Sequence, residues 1–171
     1  TRPRTFTRVE DSNGNVILEN EIQSNVAMKA STAALMNSIL HDVVNGGTGS
    51  SANFSGMTLA GKTGTTNDLR DRYFVGYSPY YVGACWVGYE SNSRVSSGGV
   101  NPAAILWNKV MSQIHAGLEN KNFFSSSDLV QVTVCADSGM LASNLCEQDP
   151  RGSRVRYEWV AVDNQPTELC T

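Results

Sequence analysis

The chain has 171 residues, 40% hydrophobic and 17% charged, a balance that excludes a disordered segment and leaves ample material for a core. Thirteen Lys and Arg against sixteen Asp and Glu give a net charge of -3, which argues against a nucleic-acid surface built to neutralise phosphates. No apolar run approaches the roughly 20 residues a bilayer requires, and Thr1-Arg2-Pro3-Arg4 opens no signal-peptide core. Any anchoring or targeting segment is expected to be absent or to lie outside this sequence.

Two β-leaning runs, Thr5 to Glu10 and Val16 to Glu19, flank Asp11-Ser12-Asn13-Gly14-Asn15, whose Asn-Gly pair predicts a hairpin. From about Ser24 to Val44, the residues Val26, Ala30, Ala33, Met36, Leu40 and Val43 recur at helical spacing. Asn45-Gly46-Gly47 then stops the helix they predict. Residues 46–56 are rich in Gly, Ser, Thr and Asn and read as a loop. Three short β-leaning runs follow, at Met57 to Thr66, Tyr73 to Tyr77 and Tyr81 to Tyr89. Their links are too short for parallel crossovers, so an antiparallel meander is expected.

Asn101-Pro102 joins an N-cap to a proline at the first helical position. Ala103, Leu106, Trp107, Val110, Met111, Ile114 and Leu118 then form an apolar stripe, predicting a helix over about 102–118 that lies on the sheet. Beyond Glu119 one strand is expected, Leu129 to Cys135, within irregular sequence. The fold class is α+β, an antiparallel sheet covered by helices, with residues 1–119 as the main body and 120–171 as a tail or small subdomain. Four cysteines are too few for a disulfide scaffold, and no Cys-x-x-Cys pair signals zinc, so neither metal nor cofactor is expected. Cys135, Cys146 and Cys170 allow one bridge, in any of three pairings, and a bridge there would point to an oxidising, extracytoplasmic setting.

The segment Gly56-Met57-Thr58-Leu59-Ala60-Gly61-Lys62-Thr63-Gly64-Thr65-Thr66 satisfies two unrelated motifs. Gly56 to Thr63 fits G-x-x-x-x-G-K-[ST], a phosphate-cradling loop that works only between a buried strand and a helix starting at the lysine. Ser50 to Ser55 is no buried strand and Gly64-Thr65-Thr66-Asn67-Asp68 opens a helix poorly, so the nucleotide reading lacks its context. Lys62-Thr63-Gly64 also matches the K-T-G element of penicillin-recognising serine enzymes, which sits on a strand. A strand is what the local pattern predicts. Such a strand offers an ammonium, hydroxyls and backbone N–H groups to an anionic peptide laid beside it, and Gly64 carries no side chain to block the approach.

Three stretches extend the match: Leu59 to Asp68; Asp71-Arg72-Tyr73-Phe74-Val75-Gly76-Tyr77-Ser78-Pro79; and Trp86-Val87-Gly88-Tyr89-Glu90. With Gly47-Thr48-Gly49, the helix after Pro102 and the tail motif Cys135-Ala136-Asp137-Ser138-Gly139-Met140-Leu141-Ala142, the chain resembles the class A penicillin-binding proteins. These are bifunctional peptidoglycan glycosyltransferase/transpeptidases. The resemblance implies part of a serine β-lactamase/transpeptidase-like fold. It also implies a D,D-transpeptidase that cross-links stem peptides through a serine acyl-enzyme and is trapped by β-lactams.

By the same resemblance, Lys62 supplies positive charge for the substrate carboxylate and the proton relay. Thr63 and Thr65 offer hydroxyls to that carboxylate, Gly64 leaves the strand open, and the backbone N–H of Thr65 is one oxyanion-hole donor. The sequence departs from the family at one point. The residues three before Lys29, Lys62, Lys109 and Lys121 are Val26, Leu59, Leu106 and Leu118, so no Ser-x-x-Lys is present. The nucleophile, the first half of the domain and a membrane anchor at the extracytoplasmic face are expected outside this chain, which should be inactive by itself. Ser51-Ala52-Asn53 matches the family's Ser-x-Asn in letters only, being too close to Lys62 in sequence.

Other candidates have simpler readings. His41 and His115 fall near helix ends, where they cap carbonyls or face solvent. Asp68 and Asp71 flank a turn and are expected to serve it. The aromatic residues from Tyr73 to Tyr89 are expected to pack in strands rather than to stack sugars. The competing functions are a β-lactamase-like hydrolase, a non-catalytic cell-wall-binding module, and the P-loop nucleotide binder.

Overall fold

In the computed structural model, which describes residues 1–96 and 98–171, ten strands and α-helices follow in chain order. They are β1 (Arg8–Glu10), β2 (Val16–Glu19), α1 (Ala30–Asn45), β3 (Ala60–Thr65), β4 (Asp71–Tyr77), β5 (Val82–Gly88), α2 (Pro102–Ile114), β6 (Leu129–Cys135), α3 (Asn144–Glu147) and β7 (Val155–Ala161). The strands form three separate antiparallel sheets, β1-β2, β3-β4-β5 and β6-β7. The meander expected from the short links is therefore present, as is the first hairpin. In that hairpin Asp11 accepts the backbone N–H groups of Asn13 and Asn15, and Gly14 takes φ +84.

The core lies between the three-stranded sheet and α2. Phe74 of β4 meets Trp107 of α2 edge-on, with ring centroids 5.2 Å apart, and Val44, Leu59 and Met111 close around them. Trp107 Nε1 donates to the Gly83 carbonyl at 3.0 Å, so the indole is buried with its one polar group satisfied. Gly76 makes room for the pair: a Cβ there would lie 2.5 Å from Phe74 and 2.9 Å from Trp107. Asn101 starts α2 by accepting the N–H groups of Ala103 and Ala104, and its amide donates to the Tyr73 carbonyl at 3.1 Å.

Three expectations need correction. First, α1 begins at Ala30 rather than near Ser24, with Lys29 extended and no side chain capping the start. Val26 continues the helical spacing but is 92% exposed, with nothing to bury against, and periodicity without burial does not hold a helix. Second, α2 stops at Ile114 rather than 118, because His115 caps it and Gly117 turns the chain at φ +84. Only Ala103, Trp107 and Met111 of the expected stripe are buried, while Leu106, Val110 and Ile114 are 44%, 47% and 49% exposed. Third, the tail contains a second strand, β7, paired along its length with β6. Val155, Tyr157 and Trp159 alternate with Arg156 and Glu158, the two-residue period of a strand, although most of β7 faces solvent. All four cysteines are free thiols, so no bridge joins any of the three pairings.

Candidate functional site

The pleat and the register together decide what β3 presents. Residues 61, 63 and 65 share a face with Gly76, Phe74 and Arg72 of β4, the face buried under α2. Lys62 and Gly64 share the other face with Val75 and Tyr73, which are exposed. Gly64 is constrained there, because a Cβ would lie 3.0 Å from Tyr73 Cβ.

β3 is an edge strand, and its hydrogen-bond alternation follows from the loop that leads into β4. Thr66 N–H donates to the Asp71 carbonyl at 3.2 Å, which makes 66 and 71 a bonded pair. In an antiparallel ladder bonded and non-bonded pairs alternate, so Thr65 opposite Arg72 and Thr63 opposite Phe74 are non-bonded. Their N–H and C=O groups therefore point away from β4, toward the open edge. The Lys62 ammonium reaches round to that edge, donating to the Thr63 carbonyl at 3.0 Å with Thr63 Oγ1 at 3.3 Å. Thr48 Oγ1 lies 3.3 Å from the same Thr63 hydroxyl. Among the described residues Lys62 makes no ion pair. One edge thus gathers an unneutralised cation, two hydroxyls and outward N–H groups, a set suited to a carboxylate and a developing oxyanion.

Lys62, Thr63, Gly64 and Thr65 are consecutive on this edge. Thr48 was missed as a site residue by sequence reasoning. Its signal was the Gly-Thr-Gly after α1: a Cβ on Gly47 would come within 2.9 Å of Val43 Cα, so the chain doubles back tightly there and delivers the intervening hydroxyl to β3. The lysine sits inside a strand and no helix starts at it, which removes the nucleotide-binding reading.

The remaining candidates serve the scaffold. His41 donates through Nδ1 to the Leu59 carbonyl at 2.7 Å, tying α1 to the approach of β3. His115 is buried: Nδ1 donates to the Met111 carbonyl at 2.7 Å, which leaves Nε2 to accept from Ser78 Oγ at 2.7 Å. Asp71 accepts Trp86 Nε1 at 2.9 Å and Thr66 Oγ1 at 3.3 Å, and Asp68 pairs with Arg70, so the two carboxylates serve their turn separately. Ala52 of the Ser51-Ala52-Asn53 run packs into the core with Trp107, on the far side of the sheet from Lys62. A cavity of about 620 Å³ opens between α1 and the tail, lined by Asn37, His41, Phe123 and Trp159 among others, and none of the K-T-G residues lines it.

Residues 1–112 match the model of the penicillin binding protein transpeptidase domain, and residues 125–171 that of the penicillin-binding protein 1A C-terminal domain. Penicillin-binding protein 1A of Clostridium perfringens is 38% identical over 173 residues, covering 99% of this chain and 21% of the relative. Penicillin-binding protein 1A of Aquifex aeolicus is 30% identical over 151 residues, 87% of this chain and 21% of the relative. The chain therefore spans about a fifth of the length of these relatives. Among solved structures, penicillin-binding protein 1A from Haemophilus influenzae superposes with a TM-score of 0.71 at 18% identity, covering 99% of this chain and 30% of the other, a likeness of fold. The D,D-transpeptidase domain of a peptidoglycan glycosyltransferase from Eggerthella lenta superposes with a TM-score of 0.52 at 25% identity, over 64% of this chain and 26% of the other.

Proposed function

The chain belongs to the penicillin-binding protein transpeptidase family, and on that premise we propose that it supplies the substrate edge of a peptidoglycan D,D-transpeptidase. The observation that carries this reading is the open edge of β3, where the Lys62 ammonium rests on the Thr63 carbonyl beside the outward N–H of Thr65. A stem peptide, or a β-lactam in its place, lies along that edge. Lys62, with the hydroxyls of Thr63 and Thr65, holds its carboxylate and serves the proton relay, and Gly64 keeps the strand open.

The reaction begins when a serine oxygen attacks the carbonyl of the terminal D-Ala-D-Ala bond. The Thr65 N–H stabilises the oxyanion, a contribution of about 3 to 4 kcal/mol in comparable sites. D-Ala leaves as the amine, and the acyl group passes to an amine of a neighbouring strand. The serine is supplied from outside these 171 residues, since none of the four lysines follows a serine by three positions. This chain by itself is therefore inactive. Its partner is the remaining part of the same domain, in a parent protein anchored at the extracytoplasmic face of the membrane. Exposed apolar side chains support that assembly on both sides of the sheet, with Val75, Tyr73 and Trp86 on the lysine face and Leu106 and Val110 outside α2. We divide the chain into a transpeptidase portion, residues 1–119, and a small C-terminal subdomain, residues 120–171.

The test is to combine the chain with a serine-bearing first half and expose the assembly to a fluorescent penicillin. Stable labelling of the assembly, with neither half labelled alone and with slow nitrocefin turnover, is the expected result. Rapid nitrocefin turnover would assign a hydrolase instead, and no labelling of a folded assembly would leave a non-catalytic wall-binding module.

A further inference from the structure

Cys135, Cys146 and Cys170 are far apart in sequence, yet their sulfurs all lie within 4.8 Å of one another. Each arrives on a different piece of the tail: Cys135 at the end of β6, Cys146 in α3, and Cys170 after a residue whose backbone bridges to Leu141. Backbone bonds fix all three positions, with Cys135 N–H donating to Met140 O at 2.8 Å, Arg154 N–H to Cys146 O at 2.7 Å and Cys170 N–H to Leu141 O at 2.9 Å. Cys135 opens a turn closed by Gly139 N–H on Cys135 O at 2.8 Å. Gly139 has φ +72, so this turn requires a glycine. Ser143 Oγ lies 3.8 Å from Cys146 Sγ.

We propose that these three thiols bind one thiophilic divalent cation of the zinc class, as three thiolates of a tetrahedral site. Zinc–sulfur bonds of about 2.3 Å hold sulfurs about 3.8 Å apart, a spacing these side chains reach by small rotations. A disulfide uses two sulfurs and leaves the third thiol over, whereas the ion uses all three. The fourth position goes to water, since the neighbouring carboxylate of Asp137 is already held by Arg151 and Arg154. A structural reason accompanies the chemical one. Among the described residues beyond 119, the only buried hydrophobics are Val134, Cys135 and Cys146, too small a core to hold β6, α3 and the final segment together. One ion ligated from all three supplies that cross-link, releasing thiol protons as it binds.

The inference is independent of the transpeptidase reading, because its readout is metal binding. The reduced chain is titrated with cobalt(II), then with zinc, and its thiols are counted with a chromogenic disulfide. The expected result is a cobalt–thiolate charge-transfer band saturating at about one equivalent, bleached by zinc, with zinc protecting three of the four thiols and leaving Cys85 reactive in the folded chain. Cys135→Ser, Cys146→Ser and Cys170→Ser each weaken zinc binding by more than about 100-fold, while Cys85→Ser leaves it unchanged. Absence of the cobalt band in the reduced wild-type chain overturns the proposal, whatever the variants do. So does equal binding by the Cys170→Ser variant, or quantitative formation of a bridge between two of the three cysteines in the presence of excess zinc.

Discussion

The meander with α2 and the tail of residues 120–171 are both antiparallel, yet they are held together by different means. The meander is organised by burial: Phe74, Trp107 and Leu59 are almost wholly removed from water and three glycines make room for them. The tail buries little and is held by its backbone ladder, by ion pairs joining Asp137 and Asp149 to Arg151 and Arg154, and by the meeting of three thiols. The proposed substrate edge needs the first kind of support, because an ammonium and an N–H must be held in place if substrate is to be bound there. The second kind suits an appended piece.

The largest expected effect that separates the two regions is from Trp107→Ala, which should destabilise the meander by about 3–5 kcal/mol. Urea unfolding followed by far-UV circular dichroism measures it, and cobalt binding by the tail should survive at urea concentrations where the meander has unfolded. Gly76→Ala comes next, at about 1–3 kcal/mol, since its Cβ overlaps Phe74 and Trp107. A thermal midpoint unchanged by this variant would show that the packing is looser than described. Asn101→Ala removes the cap of α2 and the bond to Tyr73 and should lower stability by about 1 kcal/mol, read by the same unfolding experiment.

The smallest effect is on the tail and depends on pH. Arg154 holds the Asp137 carboxyl below the ordinary carboxylate range, and Arg151 does the same for Asp149. A depressed carboxylate pKa contributes stability that is present above the unfolded value of about 4 and is lost as pH falls through the lower folded value. The tail should therefore loosen as pH falls below the ordinary carboxylate range, with Asp149→Asn flattening that dependence. Hydrogen exchange of β7 amides across that range checks it.

The same contrast explains what the sequence revealed. In the meander, turn chemistry and apolar runs coincide with burial, so the strands, their antiparallel order and the cap at Asn101 were legible, as was the lysine-bearing edge. The start of α1 was not, because the spacing of Val26 carries no information about whether a surface waits for it. Thr48 was hidden for a different reason: a hydroxyl between two glycines gains its meaning only when the turn folds back onto β3. In the tail β7 was legible in the alternation of Val155, Tyr157 and Trp159 with Arg156 and Glu158, a signal lost when the segment is taken as irregular. The three cysteines converge through backbone pairings that their spacing does not encode.

The central claim is that the outward N–H of Thr65 stabilises the oxyanion at an open strand edge, and a proline tests it directly. Thr65→Pro deletes that N–H while leaving the β3-β4 ladder intact, because the group does not bond to β4, and Thr65→Val, which loses the hydroxyl but keeps the N–H, is the reference it is compared with. The measurement is the acylation rate by penicillin of the domain assembled with its serine-bearing half, beside its thermal midpoint. The account predicts a fall of about 100- to 1,000-fold in rate with the midpoint nearly unchanged. A rate within a few-fold of the Thr65→Val domain, in a variant that still folds, would contradict it.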